Sequence, residues 1–335
     1  MAIRHYPMMP CTITDLDCGI GSDCNLVLTC NKKRFDVVLS RRPPPGFDEE
    51  HSIECQLLQK LDCAIESHEN SEIDVIYEEI SDLVASTCQP IFRELAPIIE
   101  DGPQKNDLHT FLNPDTFELQ LVTLKGEAKV IERQTPTLPR MPRTQDLLNA
   151  KSTLPEFRSS EVEVLDELLG ARILKVSING RISCCKVITE YTHKSIAREF
   201  NLLRRILDAN LPYIRVPKPV GYIKSDHDDV IAVLYDYIQA DPNTPNLDLV
   251  RIDSVDKFRR AKWANQIRHT VAQLHDIGII WGDGKPGNVL IDEDDGAWII
   301  DFGGGWTKGW VKPELAETVE GDLQALKNII EFLEV

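Results

Sequence analysis

The sequence predicts an α+β protein of two domains joined by a proline-rich connector. Three observations support this prediction. Strand-like segments with short turns occur on both sides of the connector, segments with apolar residues at helical spacing follow them, and prolines recur at every third position from 136 to 142. We expect an N-terminal α+β domain over residues 1–135, a connector over 136–158 and a second domain over 159–335.

The composition of the 335-residue chain is that of a globular protein, with 42% hydrophobic and 27% charged residues. No stretch approaches the roughly 18 consecutive apolar residues that a membrane span requires. The formal net charge of −17 would repel a nucleic-acid backbone or an anionic membrane. We therefore expect neither a nucleic-acid partner nor a membrane partner.

The first ten residues have neither the apolar core of a secretory signal nor the pattern of a transit peptide. We therefore expect a cytoplasmic or nuclear protein whose thiols stay reduced. Seven of the nine cysteines lie in the first 90 residues, but no C-x-x-C pair occurs and the spacings fit no compact tetrahedral site. The pattern favours buried or idle thiols over a metal site.

The N-terminal part is expected to contain two hairpins and two helices. NLVLTC and RFDVVLS flank a polar turn at residues 31–33, and FELQLVTLKGEAKVIE turns at Lys125-Gly126. Apolar residues at helical spacing predict helices over 53–66 and from 73 to about 95. The acidic helical faces indicate solvated surface rather than a site for a basic partner.

After the connector, residues 162–190 read as consecutive antiparallel strands. In the last strand, the two-residue period places Lys186 on a face that it shares with apolar side chains. In the helix predicted next, Glu199 falls on the apolar side, beside Phe200. A buried carboxylate is costly unless it meets a cation, so each residue supplies a partner for the other. An edge-strand lysine that extends into water is the alternative for Lys186 alone.

The polar residues with the most informative spacing lie near the C-terminus. Asp283, Lys285 and Asn288 occupy positions D, D+2 and D+5 in a loop before the strand NVLID, and Asp301 follows the strand AWII, thirteen positions after Asn288. Phosphoryl transfer needs one carboxylate to receive or orient the attacking hydroxyl, and further oxygen ligands to hold magnesium. The spacing resembles the catalytic and magnesium loops of protein kinases, D-x-K-x-x-N and D-F-G.

The resemblance to the eukaryotic-type protein-kinase-like superfamily covers about residues 160–325. It implies a small, atypical member with an extra N-terminal domain and a bilobal fold. The first lobe, over 159–238, would be an antiparallel sheet with one helix, and the second, over 239–335, a mainly helical and truncated lobe. The implied function is ATP- and Mg²⁺-dependent transfer of the γ-phosphoryl group to a hydroxyl acceptor.

The resemblance also implies the roles of individual residues. Asp283 would be the catalytic base, and Lys285 would neutralise the transferring phosphoryl group. Asn288 and Asp301 would hold magnesium. The residues that would contact or position the nucleotide are Gly170, Cys184, Lys186 with its partner Glu199, the gatekeeper Tyr235, and the main chain of Asp236 and Ile238. His275 and Asp322 resemble the paired residues that support the catalytic loop in this superfamily.

Two departures from the family pattern bear on nucleotide binding and activation. The loop over the phosphates should read G-x-G-x-x-G, but only Leu169-Gly170-Ala171 stands here, which leaves fewer backbone N–H groups able to approach the phosphates. Trp281 and Gly282 replace the His and Arg of H-R-D, so the arginine that would clamp a loop phosphate is absent. We therefore expect no activation by loop phosphorylation.

A third departure concerns the acceptor. Thr307 is the sole hydroxyl residue between Asp301 and Glu314, and only 21 residues follow Glu314, too few for the helices on which protein kinases dock peptides. We therefore favour a small molecule or an atypical protein site as acceptor. Two alternatives stay open: a pseudokinase scaffold that binds a partner through its N-terminal domain, and nucleotidyl transfer in the same site.

Overall fold

The computed structural model of the chain describes residues 8–48, 52–67, 70–97, 106–133, 154–189, 191–241 and 245–335. The chain divides into two compact units, the first formed by Met1–Lys105 with Thr110–Arg140 and the second by Asn106–His109 with Met141–Val335. The connector prolines at 136, 139 and 142 lie outside the described residues. Strands and helices of both units make the protein α+β.

A five-stranded sheet forms the centre of the first unit. Its strands are β1 (Thr12–Cys18), β2 (Cys24–Cys30), β3 (Lys33–Leu39), β4 (Thr116–Leu124) and β5 (Glu127–Glu132), in the order β1-β2-β3-β4-β5. All neighbours are antiparallel except β3 and β4. Both predicted hairpins, β2–β3 and β4–β5, are confirmed. Their two-residue turns have positive φ at both positions, as tight hairpin turns require.

The helices of the first unit differ in one respect from the prediction. The helix α1 (Ile53–Ser67) agrees with it, but the second predicted helix is divided into α2 (Asn70–Thr87) and α3 (Gln89–Leu95). Pro90 stands in the first turn of α3 and has no N–H group with which to continue the hydrogen-bond pattern of α2. The short helix α4 (Leu108–Leu112) lies where the chain passes from one unit to the other.

The core of the first unit explains why these helices form. Their apolar stripes pack with the buried face of the sheet in one cluster, which includes Leu58, Leu61, Ile80, Phe35 and Leu121. Cys18 and Cys24 face each other across β1 and β2 and are joined by a disulfide. The expectation that all nine thiols are reduced is therefore wrong for this pair, which the register brings together.

A six-stranded sheet begins the second unit. Its strands are β6 (Glu156–Arg158), β7 (Glu163–Leu169), β8 (Ile173–Ile178), β9 (Arg181–Val187), β10 (Pro219–Lys224) and β11 (Val230–Asp236), in the order β6-β10-β11-β9-β8-β7. All pairs are antiparallel except β6 with β10. Residues 156–158, assigned to the connector by the sequence, thus form an edge strand. The helix α5 (His193–Ala209) connects β9 to β10 and buries Phe200 and Leu203.

The remainder of the second unit is mainly helical. It contains the helices α6 (Lys257–Asp276) and α7 (Val319–Phe332) and a two-stranded sheet of β12 (Val289–Ile291) and β13 (Ala297–Ile299). One apolar cluster, with Trp263, Trp281, Phe302 and Ile329 fully buried, extends from these elements to α5. Asp256 and Thr318 cap α6 and α7 by accepting backbone N–H groups. In the part of the chain that the structure describes, no helix combines the length and apolar character needed to cross a membrane.

Candidate active site

The expected ion pair between Lys186 and Glu199 forms between β9 and α5. The Nζ atom of Lys186 lies 2.9 Å from Oε1 and 2.7 Å from Oε2 of Glu199. The side chain of Glu199 is 3% exposed and that of Lys186 17%. Glu199 lies on the apolar stripe of α5 because it falls between Ile196 and Phe200 on the face turned to the sheet.

Burial opposes the charge of both partners, and charged neighbours decide the outcome for the lysine. Burial tends to lower the pKa of Lys186, but the attraction of Glu199 and Asp301 outweighs it, so that the pKa is raised. Burial raises the pKa of Glu199, against the attraction of Lys186. The carboxylate of Glu199 therefore holds the charged lysine, and the negative charge of Asp301 contributes to the raised pKa of both residues.

Asp283, Lys285 and Asn288 come together in the loop between α6 and β12. Nζ of Lys285 lies 2.6 Å from Oδ2 of Asp283. Nδ2 of Asn288 donates to the backbone oxygen of Asp283 at 2.8 Å and lies 3.3 Å from its Oδ2. A 3₁₀ turn over Pro286–Asn288 folds the loop back, so that the side chains at D, D+2 and D+5 meet. Asp283 is only 8% exposed.

Asp301 is placed beside this loop by its own backbone. The N–H of Ile300 donates to the backbone oxygen of Asn288 at 3.0 Å. Asp301 has a φ of 63°, in the left-handed region, and its Oδ1 accepts the N–H of Gly303 at 3.2 Å. A left-handed non-glycine residue is unusual, and such residues are concentrated at functional sites.

Asp322 of α7 holds the loop from beneath. Its Oδ2 accepts the N–H of Trp281, and its Oδ1 the N–H of Gly282, at 2.8 and 2.9 Å. Nε2 of His275 lies 2.8 Å from the same Oδ2. The side chain of Trp281 is fully buried and donates to the oxygen of Ile300 at 2.9 Å. One carboxylate thus connects α6, α7 and the two residues before Asp283.

Thr307 joins Asp283 and Lys285 in a way that the sequence analysis missed. Its hydroxyl donates to Oδ1 of Asp283 at 2.8 Å and accepts from Nζ of Lys285 at 2.9 Å. The three side chains therefore form a closed hydrogen-bonded group. Thr307 shows that a hydroxyl oxygen fits beside both Asp283 and Lys285.

The residues expected to contact a nucleotide lie on the sheet of the second unit. Cys184 lies on β9, two positions before Lys186, and is the cross-strand partner of Tyr235 on β11. Burial raises the pKa of Cys184 to about 11. Tyr235 is 2% exposed, its hydroxyl has no hydrogen-bond partner among the described residues, and its ring centroid lies 5.9 Å from Nζ of Lys186. Cys184, Lys186 and Tyr235 are thus brought together.

The ends of the neighbouring strands carry the other nucleotide candidates. Gly170, with a φ of 53°, forms the tight turn between β7 and β8. Because Ile173 at the start of β8 pairs with Lys186, this turn lies at the same end of the sheet as Lys186. The N–H of Asp236 donates to the backbone oxygen of Lys218 at 2.9 Å. Ile238 is half-buried just beyond β11.

Asp301 and Asn288 carry oxygen groups of the kind that hold magnesium in proteins. Asp301 offers a carboxylate, and Asn288 offers its amide oxygen because its Nδ2 donates to Asp283. Among the described residues, no group of three or more His, Cys, Asp or Glu side chains could hold a metal. Magnesium is commonly held by one or two carboxylates together with substrate phosphates and water, so two protein ligands suffice.

Comparison with curated proteins finds a local similarity. No family model matches the chain. The chain is 28% identical over 126 residues to the MAP kinase kinase kinase SSK2 of Saccharomyces cerevisiae. The matched stretch covers 37% of this chain but only 8% of the yeast protein. This weak similarity hints at a relationship to kinases.

Proposed function

We propose that the chain is an ATP- and Mg²⁺-dependent phosphotransferase and that its second unit is a small bilobal kinase-like domain. The proposal rests on the backbone hydrogen bond from Ile300 to Asn288, which places Asp301 next to the loop that holds Asp283, Lys285 and Asn288. Asp301 also contributes to the raised pKa of Lys186. Groups suited to bind phosphates, hold a divalent cation and orient a hydroxyl would therefore share one site. The local similarity to a yeast kinase supports the same reaction class.

The roles of the side chains follow from their charge and position. Lys186, held by Glu199, would donate to phosphate oxygens of ATP. Asn288 and Asp301 would hold Mg²⁺, which when bound neutralises charge on the phosphates. These groups would keep the γ-phosphoryl group in line with the acceptor, and most of the rate enhancement would come from positioning and charge stabilisation.

Asp283 and Lys285 would act on the acceptor side. Asp283 would orient the attacking hydroxyl and take its proton as the new O–P bond forms and the bond to ADP breaks. Lys285 would balance negative charge on the transferring group. The acceptor hydroxyl would displace the hydroxyl of Thr307 or lie next to it, because Thr307 already donates to Asp283. We propose a small molecule or an atypical protein site as acceptor.

The nucleotide site would be formed by the sheet above these loops. Tyr235 would close its inner end, Cys184 would pack on the base, and the main chain of Asp236 and Ile238 would meet the adenine edge. Gly170 would approach the phosphates. Because the turn at Gly170 contains one glycine, Lys186 and the metal-holding residues would supply most of the phosphate binding.

The experiment incubates the full chain with ATP labelled at the γ-phosphoryl group, Mg²⁺ and candidate acceptors, and measures ADP, AMP and labelled product. We expect ADP and labelled acceptor, and a loss of at least about 100-fold in Asp283→Ala and Asp301→Ala. Asp294→Ala is the matched control, since Asp294 is an exposed aspartate in the β12–β13 turn. Release of AMP instead of ADP would indicate nucleotidyl transfer. Binding of ATP without turnover would indicate a pseudokinase scaffold that binds a partner through the first unit.

A further inference from the structure

Arg198 on α5 reaches the two loops that carry the candidate catalytic and metal-holding residues. Its Nη1 donates to the backbone oxygen of Phe302, directly after Asp301, at 3.0 Å. The same Nη1 lies 3.9 Å from Oε1 of Glu317, and that oxygen also accepts the N–H of Gly305 at 3.1 Å. The guanidinium therefore connects α5 to the segment that follows Asp301.

Two glycines with left-handed backbones make room for this guanidinium. Gly282 has a φ of 97°, and a Cβ atom there would lie 3.2 Å from Nη2 of Arg198. Gly304 has a φ of 86°, and a Cβ atom there would collide with both Nη1 of Arg198 and Oε1 of Glu317. Side chains are rare at such φ values, so the space around the guanidinium depends on glycine.

The neighbours of these contacts connect Arg198 to the site. Gly282 directly precedes Asp283, and Phe302 directly follows Asp301. Arg198 itself directly precedes Glu199, whose carboxylate holds Lys186. Two of the residues around the guanidinium, Gly282 and Phe302, are therefore one residue away from a group with a proposed role. Its side chain is 28% exposed, and its hydrogen bond to Phe302 is partly buried.

We propose that Arg198 is a positioning residue that aligns Asp301 with Lys186, and that Glu317 supplies the negative charge that keeps it in place. This inference rests on the proposed function. A carboxylate is charged at neutral pH without any modification. The segment from 301 to 317 therefore needs no phosphorylated residue to supply the negative charge that contacts Arg198. The arginine lies on α5, whereas the family pattern places one at position 282, where glycine stands here.

The test measures binding of trinitrophenyl-ATP to the full chain by fluorescence, with saturating Mg²⁺ and with EDTA. In the unaltered protein we expect Mg²⁺ to increase the affinity. In Arg198→Ala this Mg²⁺-dependent gain should fall about tenfold, while the affinity in EDTA changes less than about twofold. Arg198→Lys keeps the charge but not the planar donor group. Its Mg²⁺-dependent gain in affinity should lie between those of the unaltered protein and Arg198→Ala. Glu317→Gln should reduce the gain by about threefold.

Controls separate positioning from folding. Arg205→Ala removes an exposed arginine from the same helix and should leave both affinities unchanged. Treatment of the purified chain with a phosphatase should also leave the gain unchanged, and a loss would overturn the role of Glu317. An undiminished gain in Arg198→Ala, or an equal loss in EDTA and in Mg²⁺, would overturn the positioning role alone. Absence of any gain in the unaltered protein would overturn the proposed function, and this inference with it.

Discussion

The carboxylate of Glu199 brackets the ammonium group of Lys186, with its two oxygens 2.9 and 2.7 Å from Nζ. The two residues come from a strand and a helix that are adjacent in sequence, and both side chains are largely withdrawn from water. Such a pair contributes little net stability compared with apolar residues of the same shape, but either member alone is costly. The pair therefore orients Lys186 rather than strengthening the fold.

This asymmetry predicts unequal effects of the two single substitutions. Lys186→Met should lower the free energy of unfolding by about 3 kcal/mol, because it leaves the almost fully buried Glu199 without its cation. Glu199→Gln should cost about 1 kcal/mol, because the side chain of Lys186 is less buried than that of Glu199 and keeps more access to water. Urea unfolding followed by tryptophan fluorescence checks this, since all five tryptophans lie between residues 263 and 310. The double variant Lys186→Met/Glu199→Leu should recover most of the loss, and additive losses would refute the pairing.

We expect substitution of Asp322 to cause a second large loss of stability. Asp322→Ala should lower the free energy of unfolding by about 3 kcal/mol, because it leaves the buried N–H groups of Trp281 and Gly282 without an acceptor. His275→Ala should cost only about 1 kcal/mol, since Asp322 keeps both N–H groups. The same urea unfolding experiment compares them. Equal losses in the two variants would contradict the assignment of Asp322 as the acceptor that organises the loop.

Gly284 predicts a steric effect with a defined rescue. A Cβ atom on Gly284 would lie 2.5 Å from Cβ of Ala325 on α7 and 3.1 Å from the ring of Trp281. Gly284→Ala should therefore destabilise the second unit by about 1–3 kcal/mol through overpacking. Ala325→Gly in the same chain should relieve the closer contact and restore part of the loss. If the second substitution only adds to the first, the close packing of this loop on α7 is wrong.

We expect the alkylation rate of the Cys184 thiol to depend on pH and to report on the proposed nucleotide site. Because burial raises the pKa of Cys184 to about 11, its thiolate is rare at neutral pH and becomes more abundant as the pH rises. Alkylation of Cys184 by iodoacetamide should accelerate about tenfold per pH unit between pH 7 and 9, and Mg-ATP should slow it. Mass spectrometry of the modified peptides measures both effects, with the exposed Cys63 as internal control. Fast alkylation at pH 7, or no effect of Mg-ATP, would contradict the placement of Cys184.

Local patterns were sufficient for much of the fold and for part of the candidate site. The hairpins at Asn31-Lys32 and Lys125-Gly126 follow from turn residues that tolerate positive φ between alternating strands. The contact between Lys186 and Glu199 follows from the periodicity of the two elements. The two-residue period of a strand places Lys186 on the apolar face of β9, and helical spacing places Glu199 on the apolar face of α5. The closure of Asp283, Lys285 and Asn288 in one short loop follows from their spacing.

Features that depend on distant contacts were not predicted. β1 was not predicted, although Asp15 and Asp17 alternate with Leu16 and Cys18 as in a strand, and the Cys18–Cys24 disulfide depends on the register of β1 with β2. The contacts of Arg198 with Phe302 and Glu317 join residues more than 100 positions apart. The break before α3 had a local signal in Pro90, which is tolerated in a first turn but not inside a helix.

Leu207 shows why helical periodicity overestimates burial near a helix end. It falls on the apolar stripe of α5 by helical spacing, which favours burial. The structure leaves it 37% exposed, in the last turn before Asn210 ends the helix in a left-handed conformation. The residues around it, Asp208 to Asn210, are exposed as well. A periodic pattern therefore defines a face, while tertiary packing defines how far along the helix that face is covered.

The proposed function requires that the second unit bind ATP together with Mg²⁺ through Lys186, Asn288 and Asp301. This binding is tested by the melting temperature of the second unit, followed by tryptophan fluorescence, with ATP and EDTA and with ATP and Mg²⁺. A ligand at about 100 times its dissociation constant stabilises the folded state by about 2.7 kcal/mol, so millimolar Mg-ATP should raise the melting temperature by several degrees. This shift should be lost in Asp301→Ala and kept in Asp294→Ala. An unchanged melting temperature with Mg-ATP, or an equal shift in Asp301→Ala, would contradict the account.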